Sequence, residues 1–374
     1  MRRWFVPFLA SAGLVTVLAA VPVLAASYAQ VGQVKDFPGT VKAFDISWFD
    51  RSSHSYLLAD RTNRRIDVVD GTTGSYSRAI GSGEFVGVAV INGKVSNDHS
   101  GPDGVLVVHD QHQVWAGDGD STVKVFDFRT GAAAGVISTG GTARADEMAH
   151  DQKDHMLIVA NDADDPPFVT LIDTRDMKVV RKIDFPTATN GLEQPVWDPE
   201  THLFYLSVPE LNGNPATGEI AVIDPIRMTI VNAFPVSECE PAGLTLGPHQ
   251  HLLVGCSGDA IAAGFPAKSL VISTLDGSTV ATITQVGGSD EVWFNPGDKH
   301  YYLAARSNPS AKGGPSLGIV DAESNTWIQN VRTVAGAHSV AADPNNNHIF
   351  VPLPAGAPGC SPSASGCIGI FALS

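Results

Sequence analysis

The sequence predicts an all-β fold, a β-propeller of seven four-stranded blades, and three observations carry that prediction. Seven histidines, His54, His112, His155, His202, His251, His300 and His348, keep a common register, each just ahead of a short apolar run such as SYLLA or IFVPL. Their spacings of 58, 43, 47, 49, 49 and 48 residues make nearly the whole chain one unit repeated seven times, and a period of this size marks a circular or stacked repeat protein. Within one unit, Ala145 to Pro186, four β-rich segments alternate with polar turns and no helical period appears. Third-strand text recurs as IDVVD, VKVFD, VTLID, IAVID, LVIST, LGIVD and IGIFA. Units of four short strands at this spacing are propeller blades.

The elements follow in chain order. Arg2 and Arg3 precede an apolar stretch from Trp4 to Leu24, and Val23-Leu24-Ala25 places small residues where a signal peptidase cuts. Residues 1–25 are therefore expected to be a secretory signal, with a retained anchor as the competing reading. Arg2-Arg3-Trp4-Phe5-Val6 also has the look of a twin-arginine export signal, so both export routes stay open. Residues 26–374 form one domain, with blades at 43–85, 86–140, 141–189, 190–237, 238–286, 287–335 and 336–374. The last blade stops at Ser374 after its third strand. AQVGQVKDFPG at 29–39 copies the fourth-strand pattern VVRKIDFP, so the mature N-terminus is expected to complete blade seven and close the ring.

Four cysteines in an exported chain make two disulfides. Cys360 and Cys367 share the loop PGCSPSASGC, and Cys239 and Cys256 flank one central hairpin. Without Arg2 and Arg3, the 24 basic residues become 22 against 39 acidic ones, a net charge of −17. Such a surface repels nucleic acid and anionic lipid and favours cations or basic partners.

The blade text resembles the YVTN-type β-propeller repeat family of exported bacterial proteins. LIVAND at 157–162 and VTLIDTRDMKVVRKIDFP at 169–186 carry the resemblance, which is weakest in blade two with its insert VINGKVSNDHS. It implies the fold and leaves the activity open, since such propellers bind, scaffold or catalyse.

The seven histidines sit at first-to-second strand turns, spread around one face, and cannot converge on one metal ion. A hydrogen bond from each to a third-strand Asp (Asp70, Asp127, Asp173, Asp224 or Asp321) or to backbone is the economical role. Chemistry is expected at the opposite face, where the inner strands begin around the mouth of the axial channel. Aligning the inner strands on Asp50, Asp110, Asp151, Asp198, Gly247, Asn295 and Asp343 places Asp45, Val105, Asp146, Glu193, Ala242, Asp290 and His338 there. Blades two and five lack an acid at that position but carry Asp103 and Glu240 two residues earlier; Glu147 and Glu291 lie next door in blades three and six. Crowded carboxylates raise one another's pKa unless a cation neutralises them, and a hard divalent ion such as calcium takes oxygen ligands. A ring of solvated acids is the bland alternative.

Glu147, Glu193, Glu240, Asp290, Asp45 and Asp103 are the candidate ligands of calcium or another divalent metal, and no organic cofactor is expected. The leading function is an exported propeller that binds a small cationic or metal-associated ligand, or a protein partner, at this mouth. The alternative is a calcium-dependent hydrolase or lyase resembling the gluconolactonase class, with His338 as its acid–base group. Location in the periplasm or outside the cell, no nucleic-acid partner, no stable membrane insertion after cleavage and a monomeric state complete the expectation.

Overall fold

Strands buried on both faces lose the alternation of apolar and polar residues, and this chain places such strands in the middle of each blade. Ser55–Asp60 and Met156–Asn161 are buried throughout, whereas the outer strand Lys178–Asp184 is almost wholly exposed. The computed structural model describes Met1 and residues 26–374, so the expected export signal lies outside the described residues. Among those described, seven four-stranded antiparallel sheets form the blades. Blade one is a meander of Ser47–Asp50, Ser55–Asp60, Arg65–Asp70 and Ser75–Ile80, innermost strand first. The inner strands of successive blades lie side by side around the axis, and that of blade seven meets that of blade one.

The apolar core sits between blades. Ile158 and Leu171 of blade three pack with Phe204 and Leu206 of blade four, and equivalent clusters fill the other interfaces. Burying each such side chain stabilises by about 1.5–3 kcal/mol, which makes the blade-to-blade faces the main source of cohesion.

Blade seven combines Ala341–Ala342, Ile349–Leu353 and Cys367–Leu373 with Tyr28–Gln33 as its fourth strand. The pairing runs from Tyr28 opposite Leu373 to Gln33 opposite Gly369. This strand is shorter than the expected 29–39. After Val34 the chain turns away, and Lys35 N–H donates to the Gly74 carbonyl of blade one instead. The insert that weakened the repeat in blade two is a separate hairpin, Gly87–Ile91 with Lys94–Gly101. Asn92 and Gly93, at φ 52° and 78°, form its turn.

Both expected disulfides are present, Cys239–Cys256 and Cys360–Cys367. Among the described residues no helix is long and apolar enough to cross a membrane.

The histidines occupy the expected turns, but their bonding differs from the expected His–Asp pins. In blades one to four His54, His112, His155 and His202 adopt left-handed φ near 55°; in blades five to seven Gln250, Lys299 and Asn347 take that place. The hairpin is held by the main chain: the carbonyls of His54, His112 and His155 accept from Gly71, Phe128 and Thr174. The rings reach other blades, as His155 Nδ1 does at 2.9 Å from Asp110 and His54 Nδ1 at 3.1 Å from Asn345. The third-strand aspartates cap their own turns. Asp70, for example, accepts from Thr72 and Thr73 N–H, because an Asx side chain satisfies the amides two and three residues on.

Candidate functional site

Five of the seven inner strands enter the ring through one recurring bond. The N–H groups of Asp45, Asp103, Asp146, Glu193 and Asp290 donate to the carbonyls of Ala59, Gly117, Ala160, Ser207 and Ala304, at the end of each blade's second strand. Five acids therefore share one register around the axial mouth. Asp103 holds this place in blade two, and Val105 does not. There the inner strand ends at Val108 and a 3-10 turn, His109–Gln111, lengthens the following connection. That turn accounts for the two-residue offset in the sequence alignment.

Glu240 does not join them. A bulge between Pro241 and Leu244 breaks the register in blade five, Glu240 sits at φ 42°, and its carboxylate accepts from Asn190 Nδ2 at 3.0 Å. One irregular residue has turned the side chain off the axis. Asp45, Asp146, Glu147, Glu193, Asp290, Glu291 and His338 line one cavity of about 390 Å³ at the mouth.

Three arginines at this mouth were not anticipated. Arg61 is buried and bridges Asp45 and Asp103 through Nη2. Arg144 lies 2.8 Å from Asp146 and 2.7 Å from Asp162, and Arg306 is 3.3 Å from Asp290. The sequence did hold a signal for two of them. Arg61 and Arg306 each follow directly on a second strand, SYLLAD and HYYLAA, and second strands end at this face.

The oxygens of Asp45, Asp103 and Asp146 lie within 4.8 Å of one another, a spacing that would suit a metal ion. Arg61 Nη2 already stands between Asp45 and Asp103, so a guanidinium supplies the charge there. Burial alone would raise the Asp45 pKa, but Arg61, a bond from His338 and Arg144 outweigh it and hold the group below the usual carboxylate range. Burial, reinforced by Asp45 and Asp146, pushes Asp103 well up despite Arg61.

One residue further in, the same ladder places Glu147, Gln194 and Glu291 as a second layer. Glu147 and Glu291, 5% and 4% exposed, come from blades on different sides of the ring and meet in this cavity. Burial first lifts both far above the ordinary glutamate range; the charges of Glu291 and Asp146 add to it at Glu147, and those of Asp290, Asp45 and Asp146 add to it at Glu291. Carboxyls so crowded do not readily ionise together. Gln194 braces the pair: its Nε2 donates to Glu291 at 2.9 Å, and its Oε1 accepts from Leu244 N–H at 2.7 Å. Glu193 is raised by burial and then by Asp290, Asp162 and Asp146.

His338 stacks on Phe44, 4.7 Å between ring centres. Its Nδ1 lies 2.9 Å from the Gly336 carbonyl, and its Nε2 lies 3.4 Å from Asp45.

No family model and no curated protein matches this chain. Among solved structures it is similar to a chain of "Crystal Structure of Mitotic Checkpoint Complex", with a TM-score of 0.65 over 98% of this chain and 99% of that one at 13% identity. That likeness shows the fold. The resemblance to YVTN-type repeats rests on the blade text, and the structure supports it at the level of architecture: this chain is a seven-bladed β-propeller.

Proposed function

We propose that this chain is an exported binding propeller whose axial mouth takes a small cation, a divalent metal ion such as calcium or an amine, on Glu147, Glu193, Asp290 and Glu291. One observation carries the reading. The two deep arginines are spent on Asp45, Asp103, Asp146 and Asp162, whereas Glu147, Glu193 and Glu291 have no cationic side chain within ion-pair distance among the described residues. Uncompensated carboxylates at close range are stabilised by an incoming positive charge. Asp45 and Asp103 drop out of the expected ligand set because the buried Arg61 answers them, and Glu240 because it faces Asn190; Asp290 stays, since its partner Arg306 is exposed. The two disulfides fit an oxidising compartment outside the cytosol, in keeping with the export signal read from the sequence.

A hydrolytic centre of lactonase type would need an acid–base group free beside the ion. Both ring nitrogens of His338 are engaged and its face is covered by Phe44, which suits it to positioning Asp45. Binding is therefore the function adopted.

Thermal melts of the mature chain with calcium, magnesium, spermidine or chelator test it. A bound cation stabilises the fold by about 2.7 kcal/mol at a hundredfold excess over its Kd. Glu193→Gln should remove most of that gain and Glu240→Gln none of it. A melting point indifferent to every cation would refute the proposal.

A further inference from the structure

The channel continues beyond the carboxyl pair and changes character. Side chains two residues apart on a strand share a face, so Trp293 follows Glu291, and Trp48 follows Ile46, towards the opposite end of the ring. Trp197 of blade four stands close to the same level. Together the three tryptophans wall a vestibule on the face of the first-to-second strand turns, with two lobes of about 400 and 440 Å³ that share Trp48, Trp197, Trp293 and Gln194. Trp48 and Trp293 meet edge to face at 5.3 Å. All three rings are half-buried, and none of their indole N–H groups finds a protein acceptor among the described residues, whereas Trp115 and Trp327 both do. Glu147 lines both this vestibule and the acidic mouth, whereas Glu291 lines the mouth alone, so a single carboxyl of the pair forms the vestibule floor.

Three indoles around a recess of drug-sized volume, with a buried carboxyl at its base, match one ligand chemistry better than others. Aromatic faces attract a diffuse positive charge, and most strongly when the site is shielded from water. A bare metal ion would keep its water shell and gain little from indole. An alkylated ammonium ion presents a greasy shell to the rings and its charge to the Glu147 carboxyl. The basic side chains nearby are exposed, Arg51, His109 and Lys153, or not charged at neutral pH: His150 in the wall is pushed down to about 4, chiefly by burial. We infer that the tryptophan vestibule is a second binding site, for an organic cation of the alkylammonium class, entered from the face opposite the acidic mouth and floored by Glu147. It shares that one carboxyl with the mouth proposed above, but its aromatic wall is independent of that reading.

Titrating the full mature chain with benzyltrimethylammonium, followed by tryptophan fluorescence and calorimetry, tests the assignment. Saturable binding is expected, with a neutral isostere such as neopentyl alcohol at least about tenfold weaker. Trp197→Ala and Trp293→Ala should each weaken binding about tenfold or more, and Trp197→Phe less. Trp327→Phe, on the outer strand of blade six, should leave it unchanged. If an alanine variant fails to fold, the Phe variant and the neutral isostere still decide the matter. No saturable binding, equal binding of the isostere, or binding indifferent to Trp197→Phe and Trp197→Ala alike would overturn the assignment. Glu193→Gln separates the two sites: it should remove most of the calcium effect on melting and spare benzyltrimethylammonium. Calcium stabilisation without alkylammonium binding leaves the mouth standing and removes the vestibule; the reverse result removes the mouth alone.

Discussion

Arg61 shows how one side chain decides what an acidic cluster is for. Counted in the sequence, Asp45, Asp103 and Asp146 look like ligands awaiting an ion; in space, Arg61 and Arg144 already compensate them. The consequence is energetic. Removing one partner of a buried ion pair leaves a charge with neither water nor counter-ion, at a cost of about 3–5 kcal/mol. Arg61→Leu should lower unfolding stability at pH 7 by roughly that amount in urea denaturation. Arg61→Lys, which keeps the charge but loses the fork that spans two carboxylates, should fall between the two. A Leu variant as stable as the parent would show that Asp45 and Asp103 are not held as an ion-paired set. This pairing was illegible in the sequence because Arg61 and Asp103 are 42 residues apart and belong to different blades.

At the level of elements, most of what the repeat text implied is what folds. The period, the strand text and the cysteine placement depend on local pattern and survive whatever happens elsewhere. Errors arose where one or two residues shift a register: the 3-10 turn after Val108, the bulge at Pro241 and the shift of the left-handed residue from His202 to Gln250 between blades four and five. The histidines were legible as turn markers, yet only four of the seven take the left-handed φ themselves, and their rings share no common contact. The N-terminal strand is the element most open to test. Tyr28–Gln33 covers the edge of Cys367–Leu373, and its Tyr28 hydroxyl reaches His300 of blade six at 2.7 Å. Deleting residues 26–33 should expose that edge, lower the melting temperature and promote self-association visible in sizing chromatography. A truncated chain that stays monomeric and equally stable would mean that the strand contributes little to blade seven.

Across the whole molecule, charge is layered along the axis. Five acids ring the mouth, the Glu147–Glu291 pair lies beneath, and tryptophans line the far end. A net charge of −17 for the mature chain draws cations towards any opening, but the layering decides where one would stop. The pair gives this a pH signature. Both carboxyls have pKa values raised well above the ordinary range, first by burial and then by neighbouring negative charge. They therefore hold protons at pH values where an exposed glutamate is ionised, and an incoming cation has to displace them. Cation affinity should accordingly rise with pH through the neutral range, and binding should release protons. Calorimetry at pH 5.5, 7 and 8.5, in two buffers of different ionisation heat, measures both quantities. Glu291→Gln removes one titrating partner and should flatten the pH dependence. An affinity that is level across that range in the parent, with no proton release, would place the bound cation away from the pair and confine it to the outer ring of Glu193 and Asp290.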